Sequence, residues 1–157
     1  MNIADFQIEF DKLMSRSDSI ETMHPDREKA FSQLLEVGLP TKKWEDWKYT
    51  DLSTIANNSF RLSGIQDMPS KKIDISDYQI DGTVPIVIFN GHYQKNLSTM
   101  PDGVTLLSNL EYIKKYNWKF KSQTASPFDL LNTTFTDNGV SLIIDSNIKI
   151  QRPIQLI

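Results

Sequence analysis

A chain of 157 residues is about the length of one domain and is long enough to bury a modest core. Hydrophobic residues make up 39% of the chain and charged residues 24%, which is typical of globular proteins and excludes wholesale disorder. The formal charge of −3 disfavours binding to duplex nucleic acid, which needs a clustered excess of Lys and Arg. Because there is no cysteine, disulfides and thiolate-ligated metal sites within this chain are excluded.

The amino-terminal residues MNIADFQIEFDKLM lack both the basic start and the continuous apolar run of a secretory signal. The longest apolar runs, such as residues 84–89 (VPIVIF), are far shorter than the roughly 20 residues that span a bilayer as a helix. We therefore expect a cytoplasmic protein without a membrane span.

Two amphipathic helices are predicted near the amino terminus. Apolar residues recur at three- and four-residue spacings over residues 2–15, which predicts the first helix. A polar loop follows, and Pro25 suits the first turn of a second helix, whose apolar stripe is Ala30, Phe31, Leu34 and Leu35. Gly38 ends that helix. The two helices are expected to form an antiparallel pair with one side still open.

The stretch GLPTKKWEDWKYTDL, residues 38–52, follows this pair directly. Pro40 breaks the helix and Thr41 can cap a new short one, so that Trp44 and Trp47 fall on one face, where their indoles can seal the helical pair. Thr50 or Asp51 can cap a further turn through Ile55. The helical amino-terminal region is therefore predicted to cover residues 1–58.

Residues 59–138 are predicted to mix strands and helices. Residues 60–81 favour a loop with at most one short strand. Asn90 and Gly91 are a strong hairpin signal between residues 84–89 and the return strand at His92 and Tyr93. The remaining predicted elements are a strand at residues 104–107, a helix at 110–116 and a helix that begins at Ser126 and Pro127 and ends at the turn Asp137, Asn138 and Gly139.

The end of the chain reads as strand. Three short β-rich runs, at residues 140–145, 148–150 and 154–157, are separated by turn residues. Such closely spaced strands are typical of stacked rungs in a solenoid, which needs several rungs and a capping repeat. The last run reaches Ile157 without a polar cap, so we expect the chain to be the amino-terminal part of a longer protein. The predicted fold class is α/β (α+β), with a β-helix core beginning at residues 139–157.

No catalytic or cofactor site is evident from the sequence. His92 and His24 lack an accompanying Ser or Cys nucleophile in a triad context, and the six scattered glycines form no phosphate-binding loop. Glu45, Asp46 and Asp51 are interpreted as solvated helix charges. Trp44, Trp47 and Tyr49 either form a small local core or present an anchor for a partner protein, and the core is favoured because a small helical pair needs large apolar side chains.

The same stretch resembles the amino-terminal signature of SufD subunits, members of the SufB/SufD family of the SUF iron–sulfur cluster assembly system. The family pattern is a helix ending in Gly-Leu-Pro, then basic residues, an acidic residue and Trp-Lys-Tyr-Thr. It is matched by Gly38, Leu39, Pro40, Lys42, Lys43, Glu45, Trp47, Lys48, Tyr49 and Thr50. Trp44 departs from the pattern, since relatives often carry histidine there. The stretches PIVIFNGHYQKNLSTMPDGV and FDLLNTTFTDNGVSLIID also resemble family segments, in the same order.

The resemblance implies an amino-terminal helical and α/β domain, a right-handed parallel β-helix and a carboxyl-terminal helical domain, of which this chain holds the first and the opening strands of the second. It implies a non-enzymatic scaffold subunit of a SufBCD-type complex, with a SufB-like subunit and a SufC-like ATPase as partners. The family's cluster-related residues lie in a region that is absent here, so no catalytic, cofactor-binding or metal residue is carried over and the iron–sulfur cluster is handled by the full complex. The signature residues Trp44, Glu45, Trp47, Lys48 and Tyr49 are candidates for interaction with a partner.

Two other functions fit the sequence without the resemblance. Solenoid-like strands and an aromatic cluster that can stack on sugar rings are compatible with a carbohydrate-binding or carbohydrate-active β-helix protein, although such proteins are often secreted and no signal segment is seen. A protein-interaction module that uses the Trp/Tyr face is the other alternative.

Overall fold

The fold is described from a computed structural model, in which residues 3–16, 20–64, 73–117 and 126–157 are placed. The chain divides into two compact units. The first, called the helical unit, contains the described residues up to Leu62 together with residues 126–137. The second, called the strand unit, contains the described residues 63–117 together with residues 138–157.

The helical unit contains four α-helices, and the sequence predicted each of them within a few residues. They are α1 (Ile3–Ser15), α2 (His24–Val37), α3 (Ser53–Asn57) and α5 (Pro127–Phe135), with 3-10 turns at Glu21–Met23 and Glu45–Trp47. Gly38 ends α2 as predicted, with a φ of 70° that favours glycine. Ser126 accepts a hydrogen bond from the backbone N–H of Asp129 and so caps the start of α5.

The core of the helical unit is built by three helices rather than by the predicted pair. Phe10 of α1 and Phe31 of α2 stack with ring centroids 4.3 Å apart. Leu130 of α5 packs against Ala30 and Leu34 of α2. The open side of the helical pair is thus covered by α5, a helix that lies almost ninety residues later in the chain than α2.

The predicted polar loop between the first two helices also contributes to this core, which the sequence analysis did not foresee. Ile20 and Met23 are both buried, while Glu21 and Thr22 between them are exposed. A 3-10 turn has three residues per turn, so positions 20 and 23 lie on the same side and both reach the interior. Residues 17–19 of the loop lie outside the described part of the chain.

A buried arginine joins α2 to the end of α5. Arg27 is completely buried, and its guanidinium donates a hydrogen bond through Nη2 to the backbone carbonyl of Thr136, the residue that follows α5. Asp137, the residue after Thr136, forms an ion pair with Arg16, with 2.6 Å between Asp137 Oδ2 and Arg16 Nη1. Burial lowers the pKa of Arg27, and the charge of Asp137 opposes that shift. The positive charge thus sits where the helix α5 ends, the terminus at which cations are favoured.

The strand unit contains three separate two-stranded sheets and one α-helix. The strands are β1 (Val84–Ile86), β2 (Ile88–Phe89), β3 (His92–Tyr93), β4 (Val104–Ser108), β5 (Val140–Ile144) and β6 (Ile154–Leu156), and the helix is α4 (Asn109–Tyr116). A 3-10 turn at Lys95–Leu97 follows β3. β1 pairs with β6 in parallel, whereas β2 pairs with β3 and β4 with β5 in antiparallel fashion.

The predicted hairpin is confirmed, but it is shorter than the sequence suggested. Asn90 and Gly91 both have positive φ, 48° and 83°, as a two-residue turn of this kind requires. The predicted strand at residues 84–89 divides at Val87 into β1 and β2. Its first half is fully buried and pairs with β6 instead of continuing the hairpin.

The side chain of Gln155 in β6 forms hydrogen bonds with the loop that precedes β1. Its Oε1 accepts hydrogen bonds from the backbone N–H of Ile80 and from the hydroxyl of Thr83, at 2.9 and 2.8 Å. Its Nε2 donates to the carbonyl of Tyr78 at 2.7 Å. One amide side chain therefore satisfies three polar groups of the loop that leads into β1, which holds the loop against the last strand.

The prediction for the last three strands is right for two of them and wrong for the third. β5 and β6 form within the predicted runs, but residues 148–150 are not a strand. Asn147 has a φ of 67° and Ile148 closes a turn onto Asp145, with 3.2 Å between its N and the Asp145 carbonyl. The Ile148 side chain packs over Gly103, where a Cβ atom would lie 2.7 Å from Ile148 Cγ1. The turn predicted between the first two runs is thus confirmed, and only the strand after it does not form.

The described residues form a mixture of helices and short strands, in agreement with the predicted α/β fold class. The described parts of residues 60–81 contain no strand, and residues 65–72 of that segment lie outside the description. The predicted domain boundaries at residues 58 and 138 remain predictions. Among the described helices, none is long and apolar enough to cross a membrane.

Candidate functional site

The signature stretch folds as a series of tight turns. Backbone N–H groups of Trp44, Trp47 and Thr50 donate to the carbonyls of Thr41, Trp44 and Trp47, each at 2.9 Å. These bonds all span three residues, so the chain coils tightly over residues 41–50, which we call the aromatic segment. The short helix predicted here is therefore a 3-10 turn, and Trp44 precedes it as its N-cap residue.

The charged residues of the aromatic segment pair mostly with one another or with their near neighbours. Lys48 forms an ion pair with Glu45, and its Nζ lies 5.2 Å from the ring centroid of Tyr49. Lys42 pairs with Asp51 at 2.8 Å. Hydrogen bonds from Lys42 and from Ser53 hold the pKa of Asp51 well below its usual range. Asp51 Oδ1 accepts the N–H of Ser53 at 2.9 Å, but the N-cap residue of α3 is Leu52 and no side chain caps this helix. The prediction that Thr50 or Asp51 caps the turn is therefore wrong.

The two indoles of the aromatic segment have different environments, so the prediction that both seal the helical pair is wrong for Trp44. Trp47 is partly buried and lies against Phe128 of α5, with ring centroids 5.3 Å apart. Trp44 is 37% exposed and Tyr49 is 91% exposed. Trp47 therefore packs on α5, Tyr49 faces solvent, and Trp44 is intermediate between the two.

The helical unit also contains an apolar cavity that the sequence analysis did not identify. Its volume is about 360 Å³, which lies in the range of small-molecule pockets, and it is partly open to solvent. Its lining is almost entirely apolar and comes from Phe6, Glu9, Ile55, Phe60, Arg61, Leu62, Phe128, Leu131 and Phe135. Phe128 is shared, since it lines the cavity and contacts Trp47. The packed indole of the signature thus supports one wall of the cavity.

The titratable residues do not assemble into a reactive cluster in the part of the chain that the structure covers. No group of three or more His, Cys, Asp or Glu side chains there is arranged to hold a metal ion. His24 is the first residue of α2, and His92 lies in the β2–β3 hairpin, where its buried Nε2 has no hydrogen-bond partner among the described residues. The aromatic segment and the apolar cavity present aromatic and apolar contact area.

Sequence reasoning could find parts of this site but not the whole. The apolar stripe of α1 already contained Phe6, and that of α5 contained Phe128, Leu131 and Phe135. The phenylalanine residues on the apolar stripes of α1 and α5 were the only sequence feature that pointed to the cavity. Because the stripes are more than a hundred residues apart, only tertiary structure shows that they face a common cavity.

Comparison with known proteins gives a family match and a curated relative. Residues 6–156 match the family described as SufBD protein N-terminal region. The chain is similar to the iron-sulfur cluster assembly protein SufD of Escherichia coli (strain K12), with 34% identity over 79 residues. That alignment covers 50% of this chain but only 18% of the SufD protein, so the chain corresponds to a small part of its relative's length.

Proposed function

Since the chain belongs to the family of SufBD protein N-terminal regions, we propose that it is the amino-terminal part of a non-catalytic scaffold subunit of a SufBCD-type complex, which assembles iron–sulfur clusters. The observation that carries the proposal is the family match, which extends over residues 6–156 and includes the signature stretch. The partners in this proposal are a SufB-like subunit and a SufC-like ATPase.

The residue composition supports a scaffold rather than a cluster carrier. Iron–sulfur clusters are held chiefly by cysteine thiolates, and this chain has no cysteine. Its two histidines, His24 and His92, belong to different units of the fold. In the proposal the cluster is therefore the cargo of the full complex, and this part of the subunit supplies structure and contact surface.

The parallel pairing of β1 and β6 supports a β-helix that continues the strand unit. The two strands pair in register from Val84 and Ile154 to Ile86 and Leu156, although about seventy residues separate them in the chain. In a parallel β-helix, strands of neighbouring coils pair in parallel, as β1 and β6 do here. We propose that this pair opens the right-handed parallel β-helix through which the subunit joins its SufB-like partner.

The signature residues divide into two proposed roles. Trp47 supports the fold by packing on Phe128, while Lys48 is paired with Glu45 and places its Nζ 5.2 Å from the ring centroid of Tyr49. Trp44 and Tyr49 are the exposed aromatic residues, and exposed aromatic side chains are enriched at the energetic centres of protein interfaces. We propose that Trp44 and Tyr49 contact another subunit of the complex.

Co-purification tests this function. The protein that contains this chain, carrying an affinity tag and expressed with the products of its neighbouring genes, is expected to retain an ABC-type ATPase and a SufB-like protein through gel filtration. Tyr49→Ala should weaken this retention without changing the thermal unfolding temperature, because the Tyr49 side chain is almost fully exposed.

Absence of both partners from the purified protein would contradict the proposal. Full retention of the partners by Tyr49→Ala and by Trp44→Ala would leave the subunit assignment intact but overturn the contact role of these two residues. A glycan array with the same preparation addresses the carbohydrate-binding alternative, for which binding to a defined sugar is the expected signal.

A further inference from the structure

The apolar cavity is lined partly by helices and partly by a segment without regular secondary structure. Phe6 and Phe135 come from α1 and α5 and contact each other, with ring centroids 5.7 Å apart. Another part of the lining comes from residues 60–62, which belong to no helix or strand. Phe60 is 51% exposed even though it lines the cavity. We call residues 60–62 the wall segment.

The wall segment is tied to α1 by a carboxylate. The backbone N–H of Leu62 donates to Oε2 of Glu9 at 2.8 Å, across 53 residues of sequence. The other oxygen, Oε1, accepts a hydrogen bond from Lys12 Nζ at 2.6 Å. The Glu9 side chain is only 12% exposed, while that of Lys12 is 63% exposed. The carboxylate therefore lies under the wall segment with both oxygens engaged.

The electrostatics keep this carboxylate charged at neutral pH. The hydrogen bond from Lys12 lowers the pKa of Glu9 below its ordinary value, partial burial opposes that shift, and the Leu62 N–H and the charges of Lys12 and Arg61 lower it further. A charged acceptor makes the bond to Leu62 stronger than a bond between neutral groups. An irregular segment with an exposed ring depends on such a bond more than a helix does, since a helix also has its own hydrogen-bond ladder.

We propose that the wall segment is a movable wall of the apolar cavity and that Glu9 is the latch that holds it closed against α1. When the Leu62–Glu9 bond breaks, Phe60 and Leu62 move away and the aromatic surface of α1 and α5 becomes accessible. The cavity is then a gated apolar surface within the helical unit. This inference rests on the described contacts alone and does not depend on a role in cluster assembly.

Amide hydrogen exchange measured by NMR on the 157-residue chain tests the latch. In Glu9→Ala the Leu62 amide is expected to exchange about tenfold faster than in the unsubstituted chain, because a hydrogen bond to a charged group has been removed. The amides of Phe10 and Leu13 in α1 should keep their rates, since their own helical bonds remain. Binding of an apolar fluorescent dye, 1-anilinonaphthalene-8-sulfonate, should rise in parallel as the cavity opens.

Two further variants make the result specific. Glu9→Gln retains an oxygen acceptor without the charge, so the Leu62 amide should exchange a few times faster than in the unsubstituted chain but slower than in Glu9→Ala. This variant also decides the matter if Glu9→Ala fails to fold. Lys12→Ala removes the exposed partner of Glu9 and should leave the Leu62 rate nearly unchanged. An unchanged Leu62 rate in both Glu9 variants, equal acceleration at Leu62, Phe10 and Leu13, or faster Leu62 exchange with unchanged dye binding would overturn the proposal.

Discussion

Replacement of Arg27 by alanine is expected to destabilise the chain by about 2–4 kcal/mol, because it truncates a completely buried side chain and removes a hydrogen bond from a charged group. The guanidinium is completely buried and donates to the carbonyl of Thr136, where α5 ends. Without it, that carbonyl loses its donor and a cavity opens between α2 and α5. Since domains are stable by only about 5–15 kcal/mol, the loss is a large fraction of the total.

Urea denaturation followed by circular dichroism measures this effect, and Arg16→Ala is the matched control. Arg16 pairs with Asp137 close to the same helix end, but its side chain is 35% exposed. Because the Arg16 side chain is partly open to solvent, its truncation should lower the free energy of unfolding by less than truncation of the completely buried Arg27. If the two substitutions lower the free energy of unfolding equally, the buried position of Arg27 is not what stabilises the junction of α2 and α5.

Replacement of Trp47 by alanine is expected to cost about 2–3 kcal/mol. A fully buried tryptophan costs about 3–5 kcal/mol when truncated to alanine, and Trp47 is only partly buried against Phe128. The loss combines the apolar area returned to water with the loss of the aromatic pair. Because Phe128 also lines the apolar cavity, its ring should become more mobile in this variant.

Trp44→Ala provides the comparison for this prediction within the same segment. Trp44 is 37% exposed and Trp47 also has a ring contact with Phe128, so truncation of Trp44 should lower the free energy of unfolding by less than truncation of Trp47. Thermal or urea denaturation of the two variants side by side measures the difference. Equal losses, or no loss for Trp47→Ala, would show that the signature tryptophans have no separate structural roles.

Local sequence signals predicted the elements of this fold well. The spacing of apolar residues indicated α1 and α2, Gly38 marked the end of α2, and Asn90 with Gly91 marked the hairpin. These features depend on side-chain periodicity and on backbone conformations that few residues adopt, so a single segment carries the information.

Contacts between distant segments could not be predicted in the same way. The packing of α5 on α2 joins parts of the chain about a hundred residues apart. No local pattern predicts that the apolar stripes of these two helices pack against each other. Arg27 illustrates the point, because a charged residue in a polar-looking helix start is normally exposed. It is buried here since the end of α5 supplies an acceptor for it. The same holds for Ile148, which packs on Gly103 instead of extending a strand.

The candidate site was therefore only partly predicted. Trp47 was correctly expected to pack, but its partner, Phe128, comes from a helix that the sequence did not place beside it. The cavity next to them combines residues from α1, α3, α5 and the wall segment, four segments that are separate in the sequence. The contact of the Glu9 carboxylate with Leu62 joins residues 53 positions apart, so no local sequence pattern predicts it.

The central claim, that this chain belongs to a subunit that works in iron–sulfur cluster assembly, is tested most directly by depletion in the cell of origin. The activity of an enzyme that carries a [4Fe–4S] cluster should be measured together with the amount of its polypeptide, before depletion, after it and after re-expression. The account predicts that activity falls several-fold at constant polypeptide level and recovers on re-expression. Unchanged activity in cells verified to lack the protein and any parallel assembly system would contradict it.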